Sequence, residues 1–229
     1  MARRTSQSIR TRTIAKQNAN VNAGSARRGG TAGKRARGAG GHQRVRYLPP
    51  ENWHEPRESV RKYRILAQHA GAGYKHVITP EEIRERLAQL PAWMIADLQV
   101  VQLSRMTRKK QTFPCYGMQW GNAIYLYPVE EDRIEHFLNP PKPAQIIEAR
   151  MYGARWQDSK EGWRLVWTEA AIKDFYLNNI LIHELGHLLD QRNRSYADRE
   201  RYAEWFALEY GYKQSRKSLA TAAAAMFSE

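Results

Sequence analysis

The chain has 229 residues, 42% of them hydrophobic and 10% aromatic, which suffices for one good-sized core and is too little for two large ones. A single cysteine, Cys115, excludes an intrachain disulfide and a cysteine-built zinc cage, and fits a reducing, intracellular setting, the cytoplasm in the simplest case. At a net charge of +14, with no apolar run near the roughly 20 residues of a membrane span and no apolar core of a secretory signal, the chain suits an acidic partner and no membrane.

The charge is unevenly placed. Of the 37 Lys and Arg, twelve fall within residues 1–46, which hold no Asp or Glu, while 25 bases face 23 acids elsewhere. Rich in Gly, Ala, Ser, Thr and Asn and nearly free of large apolar side chains, this stretch cannot offset the entropy of ordering and is expected to be a disordered basic tail. Its charge suits phosphate backbones, with affinity falling as salt rises, or an acidic assembly. An Arg- and Ser-rich, acid-free N-terminus also resembles an organelle import signal, although the Gly runs make a poor amphipathic helix.

A folded domain is expected over 47–213, with a C-terminal extension over 214–229. After the stiff connector with Pro49, Pro50 and Pro56, residues 57–70 read as a helix ending at Gly71. A second helix starts at Thr79, a capping residue before Pro80, with Glu82 completing a capping box and Ile83, Leu87 and Leu90 sharing a face. "DLQVVQLSRM" and "GNAIYLYP" predict strands, the latter with Ile124 and Leu126 on one side and Tyr125 and Tyr127 on the other. "IIEARMYGARW" and "GWRLVWT" predict a hairpin turning at "QDSKE". Two helices, over about 168–191 and 196–210, complete an α+β order.

The chemistry concentrates in "NNILIHELGHLLDQ", residues 178–191. His183 and His187 are four apart, so on a helix their imidazoles lie on one side and can reach one cation. Glu184 stands about 100° round the helix from His183, badly placed as a further ligand and well placed to touch a water on the metal. Metal-assisted hydrolysis needs this division: zinc acidifies its water and polarises a carbonyl, while a carboxylate takes the proton and passes it on. Ile180, Leu181, Ile182, Leu185, Leu188 and Leu189 make this a core helix, where buried polar side chains need a partner and Zn2+ would be one.

A third ligand is then required. No histidine follows His187 in "HLLDQRNRSYADRERYAEWFA", so a Glu on the next helix is the expected source. Ser195 with Asp198 caps that helix and Gly211 ends it. Glu204, with Ala207 and Leu208 continuing its face, is favoured as ligand; Glu200, one turn earlier, is the competitor as ligand or as supporting acid. Asp190 reads either as an acid orienting a ligand imidazole or as a plain helix-end residue.

"HELGHLLD" followed by "SYADRERYAEWFALEY" resembles the gluzincin branch of the zincin metallopeptidases, locally most like the catalytic domain of anthrax lethal factor and its relatives. The resemblance covers 179–210. It implies a zincin-like fold, with a small, mostly antiparallel sheet packed on the helix bearing the two histidines and a Glu-bearing helix following. It further implies His183, His187 and Glu204 as zinc ligands, Glu184 as general base, and Tyr196 as the hydroxyl that stabilises the oxyanion. Tyr196 reads equally as an aromatic packed at a helix N-terminus. In such enzymes substrates add to an edge strand above the active helix; "GNAIYLYP" is the candidate, with an ordinary core strand as its plain alternative. The expected function is therefore that of a zinc-dependent endopeptidase acting on protein or peptide. The alternative is a non-catalytic component of a nucleoprotein or phage-type assembly that works through residues 1–46.

Overall fold

The computed structural model describes His54, residues 62–112 and residues 114–226. The basic tail, and residues 57–61 of the first expected helix, lie outside that set.

The first described element corrects the sequence reading. Arg64–Ala67 is not helical but a strand, β1, paired in parallel with β3, Val100–Leu103. Between them come the short strand β2, Tyr74–Lys75, and helix α1, Pro80–Ala88. α1 forms where expected: the Thr79 side chain accepts from the Glu82 amide, Glu82 returns the bond to the Thr79 amide, and Ile83 and Leu87 are buried. Because β1, α1 and β3 make a crossover, the two strands run in the same direction.

After α2, Arg108–Thr112, come β4, Gly117–Trp120, and β5, Ala123–Leu126. The sheet order is β1-β3-β5-β4, with β4 alone antiparallel. Two expectations change here. The sheet over the helices is mostly parallel, as a crossover connection demands, and "GNAIYLYP" is not an edge strand, because β5 lies between β3 and β4. Among the described residues the edges are β1 and β4, and β4 is the one that lies against α5. Alternation along β5 is as expected: Ile124 and Leu126 face the main core, while Tyr125 and Tyr127 join Val100 and Ala123 in a second apolar layer on the other side.

Further along, β6, Val129–Glu130, pairs with β2. A three-stranded antiparallel sheet follows, built from β7, Ile134–Phe137, with β8, Arg155–Ser159, and β9, Gly162–Val166, in the order β7-β9-β8. Only the end of "IIEARMYGARW" is a strand. Its first part belongs to α3, Pro143–Met151, started by Pro143 at the first helical position and followed by the left-handed Gly153. The β8–β9 turn is confined to Lys160 and Glu161.

The last third is helical. α4, Glu169–Phe175, capped by Thr168, passes through a π-helical turn, Tyr176–Ile180, into α5, Leu181–Leu189. α6, Tyr196–Phe206, passes through a second π-helical turn, Ala207–Tyr212, into α7, Lys213–Met226. Gly211 therefore does not end a helix. The two π turns cross there, and a Cβ on Gly211 would overlap the Asn178 carbonyl. Arg86 of α1, itself buried, bolts the crossing by donating from Nε to Asn178 Oδ1 at 2.6 Å and from Nη2 to the Tyr210 carbonyl. The architecture is thus mixed α+β, with small sheets packed on helices. Among the described residues no helix is long and apolar enough to cross a membrane.

Candidate metal centre

α5 is apolar on most of its surface, so its polar residues are carried inward with Leu181, Ile182 and Leu185. His183, Glu184 and His187 are all buried, Glu184 to 1% exposure. The imidazoles of His183 and His187 sit edge to face, centroids 4.8 Å apart. Across from them stands Glu200 of α6, 6% exposed. Its carboxylate oxygens lie 3.6 Å from His183 Nε2 and 3.2 Å from His187 Nε2.

The acid that faces the two imidazoles is thus Glu200, which corrects the preference for Glu204. The buried stripe of α6 runs through Glu200, Ala203, Phe206 and Ala207, and Glu204 is exposed one turn further on. What sets the stripe is Gly186. A Cβ there would be 3.1 Å from Ala203 Cα and 3.1 Å from Phe206 Cβ, so the two helices touch along 186, 203 and 206, and Glu200 is the acid three residues before that contact. Pairing the glycine of "HELGH" with the small residue of "RYAEWFA" carries this signal in the sequence; the pair Ala207 and Leu208 misdirects, because Leu208 is itself exposed.

The polar atoms of this group lack enough partners. His187 Nε2 and Glu200 Oε2 are buried with no hydrogen-bond partner, a costly state that a cation between them would relieve. Burial pushes the Glu200 carboxyl up, but the facing His183 and His187 outweigh it and hold it down at about 2, so this acid stays ionised. One donor atom from each of His183, His187 and Glu200 falls within 4.8 Å of the others. A buried set of two imidazoles and a carboxylate with unsatisfied donor atoms could bind a metal ion.

Glu184 does not join that triad. It faces β4: a Cβ on Gly117 would come within 2.8 Å of Glu184 Oε1 and 2.8 Å of Ile180 Cγ2, so glycine is what lets the edge strand lie against α5. Between β4 and α6 opens a cleft lined by Met118, Gln119, Glu184, His187, Tyr196, Arg199 and Glu200. Tyr196 begins α6 immediately after the Ser195 cap, whose hydroxyl accepts from the Asp198 amide at 3.1 Å. Partial burial, followed by the charge of Glu200, raises the Tyr196 phenol to about 12, so its hydroxyl keeps its proton. Arg199 donates from Nη2 to the His187 carbonyl at 3.2 Å and ties the end of α5 to α6. Asp190 acts locally, its Oδ1 accepting from the amides of Arg192 and Asn193 at 3.2 and 3.0 Å to form the turn between the two helices.

Of the residues singled out in the sequence, Glu184, His187, Tyr196 and the competitor Glu200 line one cleft, with His183 facing Glu200, and the structure adds Arg199 and the β4 residues Met118 and Gln119. Their signal was Gly117 ahead of "MQW", a glycine inside a strand marking close backbone approach. Comparison with family models, with curated proteins and with solved structures gives no match for this chain.

Proposed function

We propose that the protein is a zinc-dependent endopeptidase of zincin type, with His183, His187 and Glu200 as metal ligands. The observation that carries this reading is the buried His183, His187 and Glu200 group opening on a cleft that also holds a fourth polar residue, Glu184, separate from the ligand set. Two nitrogens and one oxygen suit zinc and leave a position for water or substrate, the mark of a catalytic site. When bound, such an ion supplies Lewis acidity at neutral pH.

The chain's own residues do the rest. Glu184 accepts the proton of the attacking water and returns it to the leaving amine. Tyr196, protonated across the physiological range, donates to the oxygen on which negative charge develops. Among the described residues β4 is the last strand of its sheet, and its outer edge offers backbone donors and acceptors, so an extended peptide adds beside Met118 and Gln119 and is held across the cleft. The twelve bases of residues 1–46 support a sequence-independent hold on nucleic acid or an acidic assembly near the substrate.

The decisive experiment combines metal content with turnover. Glu184→Gln is expected to keep one equivalent of zinc and lose about 10²–10⁴-fold in peptide hydrolysis, whereas His187→Ala loses both. If the wild-type chain purified without added metal holds none and takes up none on titration, the reading fails. If Glu184→Gln leaves function intact while removal of residues 1–46 abolishes partner binding, the non-catalytic, tail-driven alternative replaces it.

A further inference from the structure

The outer layer of the four-stranded sheet holds a second pair of reactive side chains, which does not line the cleft. Lys110 of α2 is only 8% exposed. Its Nζ lies 3.0 Å from Cys115 Sγ and 4.0 Å from the centroid of the Tyr127 ring, and no carboxylate among the described residues pairs with it. A buried amine normally sits on a carboxylate, because a ring face and a thiol replace little of its hydration. Among the described residues, the hydrogen-bond partner of this amine is the sulfur. Cys115 is partly exposed, so an oxidant reaches it, and no second cysteine exists in the chain to take up an oxidised sulfur.

We propose that Lys110 and Cys115 form an oxidant-triggered covalent site, in which a peroxide drives an S–N bond between Sγ and Nζ. The thiol sulfur attacks one peroxide oxygen; the O–O bond breaks, the sulfenic acid forms and the first water leaves. The amine lone pair then attacks sulfur, the S–O bond breaks, and the oxygen departs with an amine proton as the second water. Thiol, amine and hydrogen peroxide become a sulfenamide and two waters; sulfur gives up two electrons and the peroxide takes them. Thiol reductants reverse the reaction by attack on sulfur.

Position gives the bond a consequence. Cys115 stands two residues before Gly117, so the linkage fastens α2 to the start of β4, the strand that rests on Glu184. Such a linkage makes the edge strand sensitive to oxidant.

The test treats the full-length chain with hydrogen peroxide, digests it with trypsin without reductant and reads the peptides by mass. The expected product spans Lys110 and Cys115, is uncut after Lys110, is lighter than its reduced form by two hydrogens, and reverts with dithiothreitol. Lys110→Arg should give instead a sulfenic acid trapped by dimedone. The proposal is overturned if the wild-type thiol is trapped or over-oxidised while trypsin still cuts after Lys110. It is equally overturned if the urea-unfolded chain forms the linkage in the same yield, since the fold then contributes nothing. Neither readout depends on a metal or on hydrolysis.

Discussion

Glu135, Glu184 and Glu200 are the buried glutamates among the described residues, and the surroundings of the first and the last differ in kind. Glu135 of β7 is 3% exposed, and its Oε1 accepts from the Tyr116 hydroxyl at 2.7 Å and from Trp167 Nε1 at 2.9 Å. Glu200 is almost as deep, yet it faces two imidazoles at contact distances with Oε2 left without a donor. A buried carboxylate whose oxygen is held by two neutral donors is finished structure; one that faces two imidazoles, all three able to ligate, offers a cation a place. The contrast separates a core residue from a ligand more sharply than burial does.

The largest effect expected from breaking the contrast is on metal affinity. Glu200→Gln should weaken zinc binding by more than about 100-fold, since even residues that only support ligands cost 10–100-fold, whereas Glu135→Gln should leave stoichiometry and affinity unchanged; calorimetric titration of the two variants decides. Glu135→Gln should instead cost about 0.5–1.5 kcal/mol of stability, because an amide in place of the carboxylate disturbs the hydrogen bonds from Tyr116 and Trp167, read from the shift of a urea midpoint.

Glu148 sharpens the comparison as an intermediate case. It has one donor, Asn179 Nδ2 at 2.8 Å. Burial pushes its carboxyl up to about 7, with the Asn179 hydrogen bond opposing and the charge of Glu204 reinforcing the rise. Because the folded value lies above the unfolded value of 4.5, the folded state holds the extra proton. Its contribution is complete below about pH 4.5 and is lost as pH rises through about 7, on the order of 3 kcal/mol. Glu148→Gln should flatten the slope of stability against pH over that window; an unchanged slope would assign it to another group.

Gly117→Ala should cost about 1–3 kcal/mol by forcing β4 off α5, with a greater fall in hydrolysis than in zinc content, because the crowded group is Glu184 and not a ligand. The smallest change is expected at Glu204→Gln: within about 0.5 kcal/mol in stability, and zinc retained. A variant that loses its metal would return Glu204 to the ligand set.

Much of this was legible in the sequence, for physical reasons that can be named. The capping box at Thr79 and Glu82 is a local exchange of two hydrogen bonds, and the alternation along Ala123–Leu126 is a local consequence of the pleat. The spacing of His183 and His187 is local as well. What stayed hidden depends on partners distant in the chain. Arg64–Ala67 is a strand because β3 lies beside it, and Ala123–Leu126 loses its edge because Gly117–Trp120 covers it. The choice between Glu200 and Glu204 turns on where Gly186 meets Ala203, a matter of interhelical distance that no single helix wheel contains.

The crossing of Gly211 over Asn178, held by Arg86, bears on attempts to borrow this centre. Residues 181–206 carry every proposed ligand, yet the pitch of both helices is set outside that span, where each turn is widened by one residue and clasped from α1. A transplant of the short segment into another scaffold would bring the side chains and leave behind the joint that aims them. The minimal portable unit therefore runs from α1 through the second widened turn, and an engineer who trims it should find metal affinity failing before helicity does.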